Sequence, residues 1–162
     1  MNSFPELIPA YEKREQLIPL YEEYADMLVK TDPVFSRSLE QQNYDEEIAR
    51  LEEKYGLPKG RIYLVYADGS LAGCVGMKPS DETHAELKRL YVRPAFRGQG
   101  LGEKLTRRMM EKAREAGYRG MRLDTLPGLA AAVRLYRSLG FREISAYYDC
   151  LIPNTIFMEI DL

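Results

Sequence analysis

The sequence of residues 86–102 is ELKRLYVRPAFRGQGLG, and this stretch is the most informative about the fold of the chain. Residues 86–92 are predicted to form a β-strand, and a helix is predicted over residues 100–116. Between the two, glycines stand at three alternate positions: Gly98, Gly100 and Gly102. Because glycine has no Cβ, this backbone can turn tightly and come close to a ligand. The stretch therefore predicts a strand, a sharp turn and a helix, with the turn open to a bound molecule.

The turn also has the features of an anion site. The first N–H groups of a helix have no partners inside the helix, and the helix dipole adds positive potential there. Arg97 can add a charge-assisted hydrogen bond to a phosphate. We therefore expect the backbone of six residues to bind a pyrophosphate: Arg97, Gly98, Gln99, Gly100, Leu101 and Gly102. The alternative is a loop whose glycines only permit the sharp turn.

Two other phosphate motifs are not matched. A Walker A loop has Gly-Lys followed by Ser or Thr, whereas Gly102 is followed by Glu103, Lys104 and Leu105. The dinucleotide fingerprint G-x-G-x-x-G begins correctly but has Glu103 at its last position, and the chain lacks a second βαβαβ half. A nucleotide-binding oxidoreductase is therefore kept only as a rival to be tested.

The remaining elements are predicted from apolar spacing and from turn and cap signals. Strands are expected over residues 6–11, 61–67, 71–77, 120–126, 141–148 and 155–162. The apolar spacing of Leu17 to Leu28 predicts one helix, and a cap at Asn43 and a stop at Gly56 bound a second. A last helix ends at Gly140, with an inward stripe of Ala132, Leu135 and Leu139.

The order of these elements is β-α-α-β-β-β-α-β-α-β-β, in which antiparallel hairpins flank a βαβ centre. This order predicts an α+β (mixed α/β) fold over residues 1–162 as a single domain. We expect a central, mostly antiparallel sheet with a βαβ cofactor-binding centre and helices on both faces.

The composition narrows the class of protein. The chain has 162 residues, 30% of them charged, and a net charge of −2, which is typical of a globular domain and argues against binding nucleic acid through a general positive field. No apolar run approaches the roughly 20 residues that cross a bilayer, and no signal peptide is visible, so we expect no membrane partner and a cytoplasmic protein. One histidine and two distant cysteines, Cys74 and Cys150, predict free thiols, at least one in the core, and no metal site.

The region around the glycine turn resembles the GNAT superfamily of acyl-CoA N-acyltransferases. The best-known signature of that family is Arg or Gln, two residues, Gly, one residue, then Gly or Ala, and Arg97, Gly100 and Gly102 match it. Residues 90–94, LYVRP, resemble the strand that precedes the family's loop. Residues 132–141, AVRLYRSLGF, resemble the second signature, a helix that carries a tyrosine and ends in Gly-Phe.

The resemblance implies a role for each part of the site. The backbone of Leu90, Tyr91 and Val92 would bind the pantetheine arm of acetyl-CoA as an added strand, and the amides of residues 97–102 would hold its pyrophosphate. Tyr136 would protonate the departing thiolate. Relatives with a carboxylate base on this strand have it six residues before the last apolar residue, which is the relation of Glu86 to Val92.

The chemistry requires a base, because a protonated amine has no lone pair with which to attack a thioester. Glu86 could act directly or through a water, with a solvated carboxylate as the alternative. Asp124 on the neighbouring strand is the second candidate, whereas His84 is expected at the surface. Tyr136 could instead be a core aromatic. Tyr147, Tyr148 and Asp149 could line the acceptor pocket, or their loop could pack on its own core.

The expected function is N-acetyl transfer from acetyl-CoA directly to a primary amine of a small molecule or peptide. The alternative is a catalytically inactive CoA-binding sensor or interaction domain. The sequence leaves open the identity of the amine and the oligomeric state, including a homodimer.

Overall fold

A computed structural model describes residues 4–162, apart from the side chain of Ser38. Its strands are β1 (Glu6–Pro9), β2 (Arg61–Ala67), β3 (Ser70–Pro79), β4 (His84–Val92), β5 (Gly120–Thr125), β6 (Arg142–Ile144) and β7 (Ile156–Asp161). Its α-helices are α1 (Leu17–Thr31), α2 (Arg37–Ala49), α3 (Leu51–Tyr55), α4 (Leu101–Glu115) and α5 (Ala130–Leu139). Single 3₁₀ turns precede α1 and α4 at Arg14–Gln16 and Pro94–Phe96.

The strands form one sheet in the order β1-β2-β3-β4-β5-β7-β6. Every neighbouring pair is antiparallel except β4 and β5, which are parallel and joined by α4. Pairing is limited to three residues of each strand, with His84–Glu86 of β4 beside Gly120–Arg122 of β5. Beyond these residues the two strands diverge. The predicted mixed fold with a mostly antiparallel sheet is confirmed, and the divergence leaves one edge of β4 unpaired beyond Glu86.

Each face of the sheet packs against its own group of helices. One core lies between the sheet and helices α4 and α5, and its largest fully buried side chains are Met77, Leu105, Met109, Met121 and Leu123. The other lies between the sheet and helices α1 to α3, with Leu17, Leu20, Tyr21, Leu51, Tyr55, Ile62 and Leu64. Side chains alternate between faces along a strand, so the sheet supplies both cores at once.

Helix α2 begins earlier than the sequence pattern predicts. Ser36 is its N-cap, with a side-chain oxygen that accepts a hydrogen bond from the Leu39 amide at 3.4 Å, and Asn43 lies within the helix. The predicted cap at Asn43 is wrong because α2 starts at Arg37, six residues before Asn43. The helix is interrupted at Arg50, and a second helix, α3, follows directly. Gly56 is the C-cap of α3, in agreement with the predicted stop.

Two further predictions need correction. The strand expected over residues 141–148 is limited to β6, because residues 145–155 leave the sheet and fold over its face. In α5 the buried side chains are Val133 and Tyr136, while the predicted inward stripe of Ala132, Leu135 and Leu139 is only half-buried. The three stripe residues pack against the same core as Tyr136, so the inward face of the helix is wider than the apolar spacing suggests and extends to Val133 and Tyr136.

Both cysteines are free, with Cys74 buried and Cys150 half-buried, as the sequence predicts. Within residues 4–162 no helix combines the length and the apolar character needed to cross a bilayer. The same described residues contain no group of three or more His, Cys, Asp or Glu side chains placed to hold a metal ion.

Candidate active site

A cleft of about 1710 Å³ opens where β4 and β5 diverge. Its walls are the glycine turn, the ends of β4 and β5, one side of α5, and side chains from α1 and α2. The cleft brings together Tyr136, Asp124, the glycines of the turn and the predicted strand residues Leu90, Tyr91 and Val92. Two predicted site residues do not line it: Gln99 lines a smaller depression beside Lys104, and Glu86 is buried outside the cleft lining.

The glycine turn exposes backbone donors at the start of α4. Gly98 and Gly100 have φ angles of +78° and +76°, which side-chain-bearing residues rarely adopt, and a Cβ at either position would meet no atom within 4 Å. The first hydrogen bond at the head of α4 runs from the Lys104 amide to the Gly100 carbonyl at 3.1 Å. Among the described residues, none accepts a hydrogen bond from the amides of residues 98–103. These donors, at the positive end of the helix dipole, fit a pyrophosphate.

Arg97 is partly committed to holding the turn. Its backbone amide donates to the Pro94 carbonyl at 3.2 Å, so the free amides begin one residue later than expected. Its side-chain Nε donates to the Val92 carbonyl at 2.9 Å, and the guanidinium lies 5.7 Å from the centre of the Tyr91 ring. The two Nη groups have no hydrogen-bond acceptor among residues 4–162, so they can still reach a phosphate.

The outer part of β4 is an unpaired strand edge beside the cleft. Tyr91 and Val92 pair with Cys74 and Gly73 of β3 on one side, while the side toward β5 has no strand partner. A Cβ on Gly73 would lie 2.0 Å from the Tyr91 carbonyl oxygen, so only glycine permits this close pairing. An extended ligand such as a pantetheine arm can bond to a free edge of this kind as an added strand.

A bulge in β4 is fixed by a buried ion pair that sequence reasoning did not identify. Arg89 has a φ angle of +56°, and its guanidinium donates to both carboxylate oxygens of Glu47 from α2, at 2.8 and 3.0 Å. Burial alone would raise the pKa of Glu47, but Arg89 and Lys54 lower it to about 2. The ring centre of Tyr44 lies 4.7 Å from the guanidinium. Helix α2 is thereby tied to the strand that borders the cleft.

Tyr136 lies at the base of the cleft with a ring that is 7% exposed. Its ring packs edge-on against Phe141, with 5.7 Å between centroids. Burial, with smaller contributions from Tyr24 and Asp124, raises the pKa of the Tyr136 hydroxyl well above its usual value. The phenol therefore keeps its proton at neutral pH, so a proton is present for donation to a departing thiolate.

The two candidate bases differ in their access to the cleft. Glu86 is 3% exposed, its carboxylate accepts a hydrogen bond from the Tyr147 hydroxyl at 2.5 Å, and Lys78 Nζ lies 3.2 Å away. Burial would raise the pKa of Glu86, but Lys88, Tyr147 and Lys78 together lower it. Glu86 is thus an anion at neutral pH that lies beneath the cleft surface.

Asp124 lies on the cleft surface itself and accepts a hydrogen bond from the Tyr148 hydroxyl.

His84 is the first residue of β4 rather than part of the preceding loop, and its ring contacts Asp81 at 3.1 Å and Glu159 at 3.3 Å. These contacts hold the strand end. In the aromatic loop, Tyr148 lines the cleft and packs its ring on Phe157, while Tyr147 packs on the same ring and donates its hydroxyl hydrogen to Glu86.

Comparison with known proteins identifies the family. A sequence model of the acetyltransferase (GNAT) family matches residues 17–141, from α1 to the end of α5. The chain belongs to this family. An N-acetyltransferase of Schizosaccharomyces pombe, itself uncharacterised, is 43% identical to this GNAT protein over 131 residues, which are 79% of this chain and 80% of that one.

Two further proteins extend the comparison. The N-acetylaspartate synthetase of Rattus norvegicus is 35% identical to this acyltransferase over 110 residues, which cover 67% of this chain and 37% of that protein. An N-acetyltransferase from Thermoplasma acidophilum, solved in complex with coenzyme A, shares the fold with a TM-score of 0.74. It is 19% identical, and the match covers 99% of this chain and all of that one.

Proposed function

We propose that this GNAT protein transfers an acetyl group from acetyl-CoA directly to a primary amine bound in the cleft. The observation that carries the proposal is the alignment of three features along one cleft: free amides at the head of α4, a free edge on β4, and the protonated Tyr136. These features would hold pyrophosphate, pantetheine and sulfur in succession. The structurally similar Thermoplasma protein, which was solved with coenzyme A, supports this choice of donor.

The reaction is assigned to the side chains as follows. The amine nitrogen forms a bond to the acetyl carbon, and the bond between that carbon and sulfur breaks. Tyr136 gives its proton to the departing sulfur. The proton that the amine loses goes to a carboxylate, and we assign this role to Asp124 because it faces the cleft. Glu86 stays a prediction as the base, and the proton would reach it through a water or the Tyr147 hydroxyl.

The acceptor class is supported by one named relative, the N-acetylaspartate synthetase, whose product is an N-acetylated amine. Cys74 is not suited to carry the acetyl group. Burial raises the pKa of the Cys74 thiol to about 12, and its Sγ lies 3.3 Å from the Arg89 carbonyl in the core, so it is not available as a nucleophile.

The test is release of free thiol from acetyl-CoA in the presence of a panel of primary amines. We expect thiol release that depends on the amine and a product of the corresponding added mass. If the protein binds acetyl-CoA in calorimetry but no amine of a broad panel causes thiol release, it would instead be the CoA-binding sensor. An oxidoreductase would be revealed by binding of a nicotinamide nucleotide in a fluorescence titration.

A further inference from the structure

Two opposite charges face each other across the mouth of the gap between β4 and β5. The last paired residues of these strands are Glu86 and Arg122, and Lys88 and Asp124 each lie two residues further along. Side chains two residues apart share a face, so Lys88 and Asp124 lie on the same face of the sheet. Both line the cleft, and among the described residues no ion pair within 4 Å joins them. The gap between the diverging strands therefore separates a cation and an anion that are not paired with each other.

Lys88 differs from the other cations inside the cleft. Lys78 is paired with Glu86 at 3.2 Å, and Lys54 and Arg89 are paired with Glu47 at 2.5 and 2.8 Å. Lys88 is half-buried, yet within residues 4–162 no carboxylate oxygen lies within 4 Å of its ammonium group. Two arginines, Arg50 and Arg97, also line the cleft, but both are exposed at its rim.

The charge on Lys88 acts within the cleft. Although burial would raise the pKa of Glu86, Lys88 is the strongest of the influences that lower it. Although Glu86 is near enough to feel this charge, its carboxylate is in contact with Lys78 instead, so the Lys88 ammonium is open to direct contact with an anionic group of a ligand. The position of Lys88 favours a ligand whose anionic group lies a short distance from the group that contacts Asp124.

We propose that the acceptor is an amino acid, in which a carboxylate lies next to the primary amine. Lys88 binds the carboxylate, while the amine lies against Asp124 on the opposite strand. Paired strands are about 4.8 Å apart, and these two have already begun to diverge, so a small molecule can lie between the two side chains. A diamine would place its second positive charge toward Lys88 and be repelled. This inference rests on the proposed acetyl transfer and specifies its acceptor.

The proposal is tested with matched acceptors. Alanine, β-alanine, aspartate and glutamate are compared with ethylamine, alaninamide and putrescine, and kcat/KM is measured for each at saturating acetyl-CoA. We expect the amino acids to be preferred over ethylamine by roughly 10–100-fold, the range expected for one hydrogen bond between charged groups. Lys88→Gln should abolish this preference through the KM for the amino acid, with the KM for acetyl-CoA unchanged, and Lys88→Arg should restore part of it.

Lys112→Gln is the matched control, because Lys112 is also half-buried but lies on α4, on the opposite side of the sheet. Calorimetric titration of the best amino acid into the protein–CoA complex gives a second readout, in which only Lys88→Gln should lose binding. Equal kcat/KM across the acceptors, or a preference for putrescine, would overturn the inference while leaving acetyl transfer in place. No thiol release with any amine would instead refute acetyl transfer itself, and the inference with it.

Discussion

The phosphate-binding role of the glycine turn can be tested most sharply at Gly100. Gly100→Glu adds a side chain and a negative charge at the N-cap of α4, where the free amides of residues 101–103 begin. The Cβ itself would meet no atom within 4 Å, so no clash is expected. The backbone has φ = +76°, which costs a side-chain-bearing residue about 1–2 kcal/mol. The protein should therefore remain folded with a modestly reduced melting temperature.

The expected loss of cofactor affinity is much larger than this strain. Hydrogen bonds to a charged group are worth roughly 1.5–3 kcal/mol each, and the new carboxylate should block at least two of them. The sum, about 3–6 kcal/mol, corresponds to an increase in the Kd for CoA on the order of 10²–10⁴-fold. Gly100→Ala is the control, because it has the same backbone strain without the charge and should keep most of the affinity.

The assay is isothermal titration of CoA into each variant, with thermal melting to confirm that both are folded. A folded Gly100→Glu protein that binds CoA as tightly as the wild type would refute the assignment of the pyrophosphate to this turn. Equal loss of affinity in Gly100→Ala and Gly100→Glu would show that the shape of the loop, rather than its charge, determines binding.

Three other predictions concern catalysis and stability. Tyr136→Phe removes the proton donor but keeps the buried ring, so kcat should fall by roughly 10²–10⁴-fold with the Kd for CoA unchanged; an unaltered kcat would make Tyr136 structural or show that chemistry does not limit turnover. Asp124→Asn should remove the rise of kcat/KM with pH that Glu86→Gln retains, and the reverse result would make Glu86 the base. Glu47→Gln leaves the Arg89 cation buried without its counter-ion and should lower the free energy of unfolding at pH 7 by roughly 3 kcal/mol, as measured by urea denaturation. The pKa of Glu47 is about 2 in the folded protein and higher in the unfolded chain, so the difference in unfolding free energy between wild type and variant should shrink as the pH falls from about 5 toward 2. A difference that did not depend on pH would contradict the ion-pair explanation.

The sequence by itself determined those features that depend on a few neighbouring residues. The glycines of the turn permit positive φ angles, which Gly98 and Gly100 adopt. The apolar stripe of Leu101, Leu105 and Met109 specifies the buried side of α4 without reference to other elements. The order of strands and helices followed from the same local periodicities. Together with the two signatures, they were enough to indicate the fold and the family.

Only the tertiary structure decided which side chains face the cleft. Glu47 and Arg89 are 42 residues apart, and nothing in their local sequence links a helix to a bulged strand. Tyr147 covers Glu86 across 61 residues because the loop after β6 folds over the sheet instead of continuing as a strand. Lys88 and Asp124 are brought opposite each other by the parallel pairing of β4 and β5, and they are kept apart because that pairing ends at Glu86. Such distances depend on strand order and on the point where two strands separate, and local periodicity carries no information about either.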